Sequence, residues 1–129
     1  MVNDCISDLL TRIRNANLVK KEKLTVPNTR VSRNICALLE KEGFIDSCQV
    51  SSAEELTLQL KYKGREQKPC ITNLRRISKP GLRIYASYKN IPKILNGMGV
   101  VFVSTSQGLM TDREARYRKL GGEVVCSVW

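Results

Sequence analysis

Val100-Val101-Phe102-Val103-Ser104-Thr105-Ser106-Gln107-Gly108 is the stretch that decides the fold of the second half of this chain of 129 residues. Its first four residues are all apolar, and an apolar run of this length without alternation predicts a central β-strand that is buried on both faces. The run then changes abruptly to three hydroxyl residues, a glutamine and a glycine. We therefore expect a β-sheet in this half, with a cluster of small hydroxyl side chains at the end of its central strand.

The segments on either side of this strand contain few helix signals. Thr111-Asp112-Arg113-Glu114 has the Ser/Thr-x-x-Glu pattern of a capping box, which predicts the start of a short helix, and Gly121-Gly122 would end that helix. The other elements predicted here are strands at 71–78, 82–86 and 123–129 and a short helix at 91–95. The second half is thus predicted to be mainly β.

The first half has a different pattern, in which helices and strands alternate. Apolar residues spaced three and four apart predict two helices, the first from Ile6, Leu9, Leu10 and Ile13 and the second from Val31, Ile35, Leu38 and Leu39. Gly43 is predicted to end the second helix. Strands are predicted at 23–26, from Phe44 onward and at 56–62.

A polar stretch at residues 63–69 is the predicted linker between the two halves. The predicted domains are residues 1–64, an N-terminal α/β domain with the order α-β-α-β-β, and residues 65–129, a C-terminal domain that is mainly β with short helices. The fold class is therefore α+β, built from two small α/β domains.

The charge of the chain is strongly positive and is unevenly distributed. Lys and Arg together number 22 against 12 Asp and Glu, which gives a formal net charge of +10. The net charge is +2 over residues 1–64 and +8 over residues 65–129. Such an excess favours a polyanion partner, and a phosphate backbone is the commonest one in a cell. We expect the second half to supply most of this attraction.

The residue types present argue against an enzyme or a metal site. The chain has five cysteines, no pair of them with CxxC spacing, and no histidine. A zinc site would need four of these scattered thiols, so no metal and no cofactor are predicted. Ser104 and Ser106 lack both a G-x-S-x-G context and a histidine to activate them. An enzyme that depends on one of the thiols stays as the weakest of three hypotheses.

Membrane association is not predicted either. No apolar stretch approaches the ~20 residues that a membrane span needs. Asp4 and Asp8 lie where a signal peptide would have its basic segment, and no apolar core follows them.

Two segments are candidates for binding nucleic acid. The hydroxyls of the Ser-Thr-Ser cluster both donate and accept hydrogen bonds, which suits ribose and base edges in a wide, shallow minor groove. Gly108 would let the backbone approach closely, and the helix start at Thr111 would add exposed N–H donors. Ordinary turn chemistry explains the same cluster equally well.

The second candidate is a basic turn followed by tyrosines. It contains Arg75, Arg76, Lys79 and Arg83, with Tyr85 and Tyr88 just beyond. Cations interleaved with aromatic rings suit phosphate contact and base stacking. The alternative is a solvated hairpin with tyrosines half in the core, and for Tyr85 this alternative is favoured. The charged residues 20–23 are interpreted as a solvated loop.

Four stretches of the sequence resemble one known family. Residues 2–16 resemble the opening of the bacterial-type eighth protein of the small ribosomal subunit, and Ser104–Arg116 resembles its signature. Residues 76–85 and 121–123 match as well. The similarity runs in order along the whole chain.

This resemblance implies two α/β domains that bind the central domain of small-subunit, 16S-type ribosomal RNA and help to assemble it. It implies RNA-contact residues in three ranks. The first rank is Ser104, Thr105, Ser106 and Glu123; the second is Tyr85, Tyr88 and Lys79, beside Arg76 and Arg83 of the basic turn; the third is Asp4, Asn28, Thr29 and Arg30. Asn28-Thr29 departs from the small hydroxyl pair that is usual in the family.

The resemblance also implies neighbouring small-subunit ribosomal proteins as partners, and no small-molecule substrate. The ending Val128-Trp129 and the short start Val2-Asn3-Asp4 are similar to plastid and cyanobacterial members, so a plastid ribosome is predicted, with the bacterial cytoplasm as the alternative. The alternative function is a general basic nucleic-acid-binding or RNA-chaperone module.

Overall fold

The computed structural model describes residues 5–129, apart from the side chain of Asn96. The chain divides into two compact units, a first unit of residues 5–72 and a second unit of residues 73–129. Among the described helices, none is long and apolar enough to cross a membrane. The two units together give the mixed α+β class that the sequence predicts.

The first unit confirms the predicted order α-β-α-β-β and adds a small hairpin. Its elements are α1 (Cys5–Leu18), β1 (Lys23–Pro27), α2 (Arg30–Lys41), β2 (Ile45–Val50), β3 (Glu55–Leu60), β4 (Tyr62–Lys63) and β5 (Lys68–Pro69). An antiparallel sheet has the strand order β1-β3-β2, and α1 and α2 pack against each other and against its outer strands. Alternating side chains of β3 fill the core, since Leu56, Leu58 and Leu60 are each at most 3% exposed.

Two predictions for the first unit are wrong in detail. Residues 63–69 were expected to form a linker, but they belong to the hairpin of β4 and β5, whose turn begins at Gly64 with φ +71°. Val31 was expected on the buried face of α2, yet it is 40% exposed, while Ser32 and Cys36 are buried instead. The α2 helix starts at Arg30, and its buried residues Ser32, Ile35, Cys36 and Leu39 have the i, i+3, i+4, i+7 spacing of one helix face, which begins one position after Val31.

The second unit is mainly β, as predicted. Its elements are β6 (Leu74–Arg76), β7 (Tyr85–Ala86), a 3-10 helix (Leu95–Gly97), β8 (Val100–Thr105), β9 (Gly108–Thr111), α3 (Asp112–Arg118) and β10 (Gly122–Val128). The strand order is β6-β10-β8-β9, and β7 also pairs with β10. The prediction that residues 100–103 form a central strand is confirmed, because β8 lies between β10 and β9 and residues 101–103 are fully buried.

The core of the second unit lies between this sheet and α3. Its buried members are Ile91, Val101, Val103, Met110, Ala115 and Val124. The capping box is confirmed at its N-cap, where Thr111 Oγ1 accepts a hydrogen bond from the Glu114 amide at 3.3 Å. The buried carboxylate of Asp112 then accepts from the Val101 amide at 3.2 Å and from Arg116 at 2.8 Å, which ties α3 to β8.

Two predictions for the second unit are wrong. No α-helix forms at residues 91–95, because the carbonyls of Ile91 and Pro92 accept hydrogen bonds from the Arg116 side chain. The helix α3 ends at Arg118 and not at Gly121-Gly122, because its C-cap Lys119 has a left-handed φ of 59°.

Gly121 and Gly122 instead allow close packing of backbone in the sheet. A Cβ on Gly122 would overlap the carbonyl oxygen of Ser104, and one on Gly121 would come within 2.6 Å of the Ala86 carbonyl oxygen. The strand β10 can approach β7 and β8 this closely because these two positions have no side chain.

Replacing Gly122 with Ala should destabilise the second unit. The added methyl group meets backbone atoms that cannot rotate away, so we expect a loss of about 1–3 kcal/mol or more in the free energy of unfolding. Chemical denaturation measures the loss. Gly81→Ala is the matched control, because a Cβ there meets nothing within 4 Å; its effect should stay within about 0.5 kcal/mol. Equal stabilities of the two variants would contradict the proposed role of Gly122.

Candidate RNA-binding surface

The register of the second sheet places three predicted contact residues side by side. Glu123 in β10 is paired with Tyr85 in β7 on one side and with Ser104 in β8 on the other. Directly paired residues of antiparallel strands point to the same face, with Cβ atoms about 4.5–5.5 Å apart. We call Tyr85, Glu123 and Ser104 the cross-strand row. The adjacent pair Val103 and Val124 points to the opposite face and is buried in the core, so the row rests on a packed sheet.

The hairpin of β8 and β9 carries the remaining hydroxyls past the end of the row. Thr105 Oγ1 donates to the Gly108 carbonyl at 2.8 Å and accepts from the Gln107 amide at 3.2 Å, so this hydroxyl fixes the turn. Gly108 has φ +108°, a conformation that favours glycine. The side chains of Ser104 and Ser106 are exposed. These two hydroxyls therefore face solvent, while that of Thr105 stabilises the loop that presents them.

Glu123 is held in place by two hydrogen bonds from its own unit. Its Oε1 accepts from Ser78 Oγ at 2.7 Å and from Arg83 Nη1 at 2.9 Å. Burial raises the pKa of the carboxyl, but the hydrogen bonds and the charges of Arg83 and Arg76 outweigh that effect and lower the pKa overall. The group is therefore ionised at neutral pH, and it fixes the guanidinium of Arg83 beside the row.

Ser78 supports the candidate surface in a way that the sequence did not reveal. It is fully buried, and its hydroxyl also accepts from the Ile84 amide at 3.2 Å, so it links the basic turn to the carboxylate of Glu123. The two partners Ser78 and Glu123 lie 45 residues apart in sequence. Only the tertiary fold brings them together, so no local sequence pattern predicts this contact.

The basic residues of the turn fall into two groups. Lys79 is exposed at a tight turn, in which its amide and carbonyl are both hydrogen-bonded to those of Leu82 at 3.0 Å. The side chain of Arg83 is 46% exposed beside the row. Arg76, in contrast, is partly buried and donates to the Val125 carbonyl at 3.4 Å. Lys79 and Arg83 are thus placed to meet an external anion, whereas Arg76 stabilises the sheet.

The two tyrosines differ in their exposure, and Tyr85 differs from its expected position. Tyr85 was expected to be half in the core, but it is 70% exposed, because its neighbour Ala86 takes the side that faces the core. Tyr88 is partly buried and packs against the core cluster, with Lys89 Nζ 5.9 Å from the centre of its ring. Tyr85 is therefore the more exposed of the two rings.

The exposed helix start that was expected at Thr111 is not present. Thr111 and Asp112 are 6% and 4% exposed, and the Asp112 carboxylate lies within the first turn of α3. In the β8–β9 register Thr111 pairs with Phe102, at the opposite end of β9 from the turn. The first two positions of this helix start, Thr111 and Asp112, are therefore buried in the unit and do not face solvent.

Three of the four third-ranked residues, Asn28, Thr29 and Arg30, belong to the first unit. Asn28 Nδ2 lies 3.3 Å from the carbonyl oxygens of Ser52 and Ala53, to which it donates. Thr29 is the N-cap of α2, because its Oγ1 accepts from the Ser32 amide at 3.1 Å. These two side chains stabilise the unit, while Arg30 is exposed. Asp4 lies outside the described residues.

Within residues 5–129, no group of three or more potential ligands could hold a metal ion. Three of the five thiols, those of Cys36, Cys48 and Cys126, also lack the features of a nucleophile. Burial raises the pKa of the Cys126 thiol to about 12 and that of the Cys36 thiol further still, and the pKa of Cys48 is raised as well. A thiol with a raised pKa is not ionised at neutral pH and is unreactive.

Glu123→Gln should change how stability depends on pH. Because folding lowers the pKa of Glu123, its ionised form stabilises the fold above the ordinary carboxyl pKa of about 4.3, and this stabilisation is lost as the pH falls through the lower folded value. We expect the variant to be less stable than the wild type at pH 7 and the difference to shrink below about pH 4. Denaturant unfolding between about pH 3 and pH 7 measures it. Glu54→Gln, at an exposed site, controls for the lost charge; a difference that is the same at every pH would contradict the account.

Comparison with known proteins identifies the family of the chain. The family described as "Ribosomal protein S8" matches residues 4–129. Three similar relatives all carry the name small ribosomal subunit protein uS8c. They are from Oltmannsiellopsis viridis (95% identical over 129 residues), Tupiella akineta (58% over 131) and Marchantia polymorpha (54% over 132), and each alignment covers 100% of both chains.

These matches test two of the predictions made from the sequence, the absence of enzymatic activity and the localisation. The relatives are structural proteins of the ribosome, which confirms that the chain is not an enzyme. They are the chloroplast form of the protein, which confirms the predicted plastid localisation. The family match spans nearly the whole of the chain, including the cross-strand row and the hairpin beside it. The chain therefore belongs to the ribosomal protein S8 family, whose members are proteins of the small ribosomal subunit.

Proposed function

We propose that this chain binds directly to the central domain of small-subunit, 16S-type ribosomal RNA and helps to assemble it, with the second unit as the RNA-binding part. The observation that supports this most strongly is the cross-strand row. It puts an exposed ring, a fixed carboxylate and an exposed hydroxyl next to one another on a rigid sheet. Neighbouring small-subunit ribosomal proteins are the further partners we propose.

The proposed mechanism is recognition of RNA shape together with neutralisation of phosphates. Ser104 and Ser106 would enter a wide, shallow minor groove, where their hydroxyls can donate to and accept from ribose 2′-OH groups and base edges. Lys79 and Arg83 would contact phosphates on either side, which fixes the position of the RNA without reading its sequence. Tyr85 would stack on an unpaired base where the helix is irregular.

Glu123 has a positioning role in this mechanism. Its carboxylate accepts a hydrogen bond from Arg83 and so orients that guanidinium toward the RNA. The second oxygen of the carboxylate can accept from a base amine in the groove. Since the pKa of the group is lowered by its surroundings, it carries out both tasks in the ionised form.

A general basic nucleic-acid-binding or RNA-chaperone module is the second candidate. The net charge of +8 over residues 65–129 favours it, because charge alone supports non-specific binding. The two candidates differ in their preference for a partner. A reader of shape binds a ribosomal RNA helix more tightly than a random duplex of equal length at moderate salt, whereas a general module binds both equally.

Replacing both Ser104 and Ser106 with Ala should weaken specific binding selectively. Loss of two hydroxyls that face the groove should cost roughly 1–3 kcal/mol for the central-domain helix, while binding to random RNA should hardly change. Filter binding or fluorescence anisotropy at fixed salt measures both affinities. Ser47→Ala, a half-buried hydroxyl of the first unit, is the control. If the two affinities fall equally, the hairpin does not read the RNA.

Replacing Tyr85 with Ala should remove the stacking contact and cost about 1–3 kcal/mol of binding to the ribosomal RNA helix. Tyr85→Phe keeps the ring and should keep most of the affinity. Tyr117 is 88% exposed on α3 and lies outside the row, so Tyr117→Ala is the matched control. An equal loss in Tyr85→Ala and Tyr117→Ala would show that exposed rings contribute generally and not through the row.

A further inference from the structure

Two segments of the first unit that are distant in sequence form one positively charged surface. They are residues 20–23, which comprise the end of the α1–β1 loop and the first residue of β1, and the β4–β5 hairpin at residues 62–69, and together we call them the basic corner. It contains six cations and two carboxylates, namely Lys20, Lys21, Lys23, Lys63, Arg65 and Lys68 with Glu22 and Glu66. The sequence had suggested only a solvated loop and a linker.

Hydrogen bonds fix the two segments against each other. Lys20 Nζ donates to the Glu66 carbonyl at 2.9 Å. From the hairpin, the Tyr62 hydroxyl donates to the Lys21 carbonyl. The amide of Leu60 donates to the Glu22 carbonyl at 2.8 Å. The charges of the loop and the hairpin are therefore held in one place, and their potentials add.

Charge within the basic corner is poorly balanced. Lys63 and Lys68 are paired directly across β4 and β5, and like charges in this position destabilise a hairpin. The ion pair of Lys68 with Glu66 offsets little of this repulsion, because it is 3.4 Å long and both side chains are more than three-quarters exposed. The fold thus holds the like charges of Lys63 and Lys68 close together, and a bound anion would reduce the repulsion between them.

The shape and location of the basic corner fit an extended anion. An open cleft of about 610 Å³ runs along the hairpin, and its lining includes Lys63, Arg65 and Lys68. In the first sheet, Lys23 pairs with Gln59 at the end next to the basic corner, while Glu55 pairs with Pro27 at the other end. Positive charge is therefore concentrated at one end of this sheet, across a surface wider than a single ion needs.

We propose that the basic corner binds the phosphate backbone of a second segment of ribosomal RNA, distinct from the helix that the cross-strand row contacts. This inference rests on the proposed function, since it takes ribosomal RNA as the ligand. Phosphate contacts carry no sequence information but determine position and orientation. The basic corner therefore adds salt-dependent affinity and sets how the protein lies on a large RNA, without changing which helix the second unit prefers.

The test compares two double variants of the full chain on two RNAs over a series of salt concentrations. Lys63→Gln/Arg65→Gln removes two exposed cations of the basic corner, and Arg14→Gln/Lys41→Gln removes two exposed cations of α1 and α2. The RNAs are the isolated ribosomal RNA helix and the whole central domain. On the central domain, the first variant should lower the slope of log affinity against log salt by about two, or one per phosphate contact. On the isolated helix it should bind like the wild type, and the control variant should do so on both RNAs.

Equal slopes for the wild type and the first variant on the central domain would overturn the proposal, as would an equal drop in the control variant. Unchanged RNA binding with weaker incorporation into the subunit would also overturn it and indicate an acidic protein partner. Acetylation of the wild-type chain checks the result without a variant: central-domain RNA should protect Lys63 and Lys68 but not Lys41. Failure of the proposed function is a separate result, in which the wild type binds the isolated helix no better than a random duplex.

Discussion

The close pairing of β10 with β7 and β8 is the interaction on which the candidate surface depends. Gly122 allows it, because any side chain there would overlap the backbone of Ser104. Once these strands are paired, the register alone sets Tyr85, Glu123 and Ser104 in one row. The opposite face of the same strands is the core of the unit, so the forces that stabilise the fold also fix the geometry of the row.

Hydrogen bonds between polar side chains then fix the orientation of the residues that the sheet brings together. Ser78 and Arg83 hold Glu123 in its ionised form, and Thr105 closes the turn that presents Ser106. These contacts are satisfied within the unit itself, so the surface is formed before a ligand arrives. A preorganised surface of this kind loses little conformational entropy on binding.

Much of this arrangement could be predicted from the sequence. The apolar run at residues 100–103 predicts the central strand, and the capping box predicts α3, because both signals depend on neighbouring residues only. The exposure of Tyr85 and the buried start of α3 could not be predicted, since they depend on strand pairing and on the contact of Asp112 with β8. The helix expected at residues 91–95 does not form for the same kind of reason, because the side chain of Arg116, distant in sequence, donates hydrogen bonds to the carbonyls of Ile91 and Pro92.

The most direct test of the central claim is hydroxyl-radical footprinting of small-subunit ribosomal RNA with the purified wild-type chain at moderate salt. If the cross-strand row reads the shape of a minor groove, the strongest protection will fall on riboses along the minor groove of one irregular helix in the central domain, and it will persist as non-specific contacts are lost. Weak protection spread over many helices, disappearing as salt increases, would contradict this account.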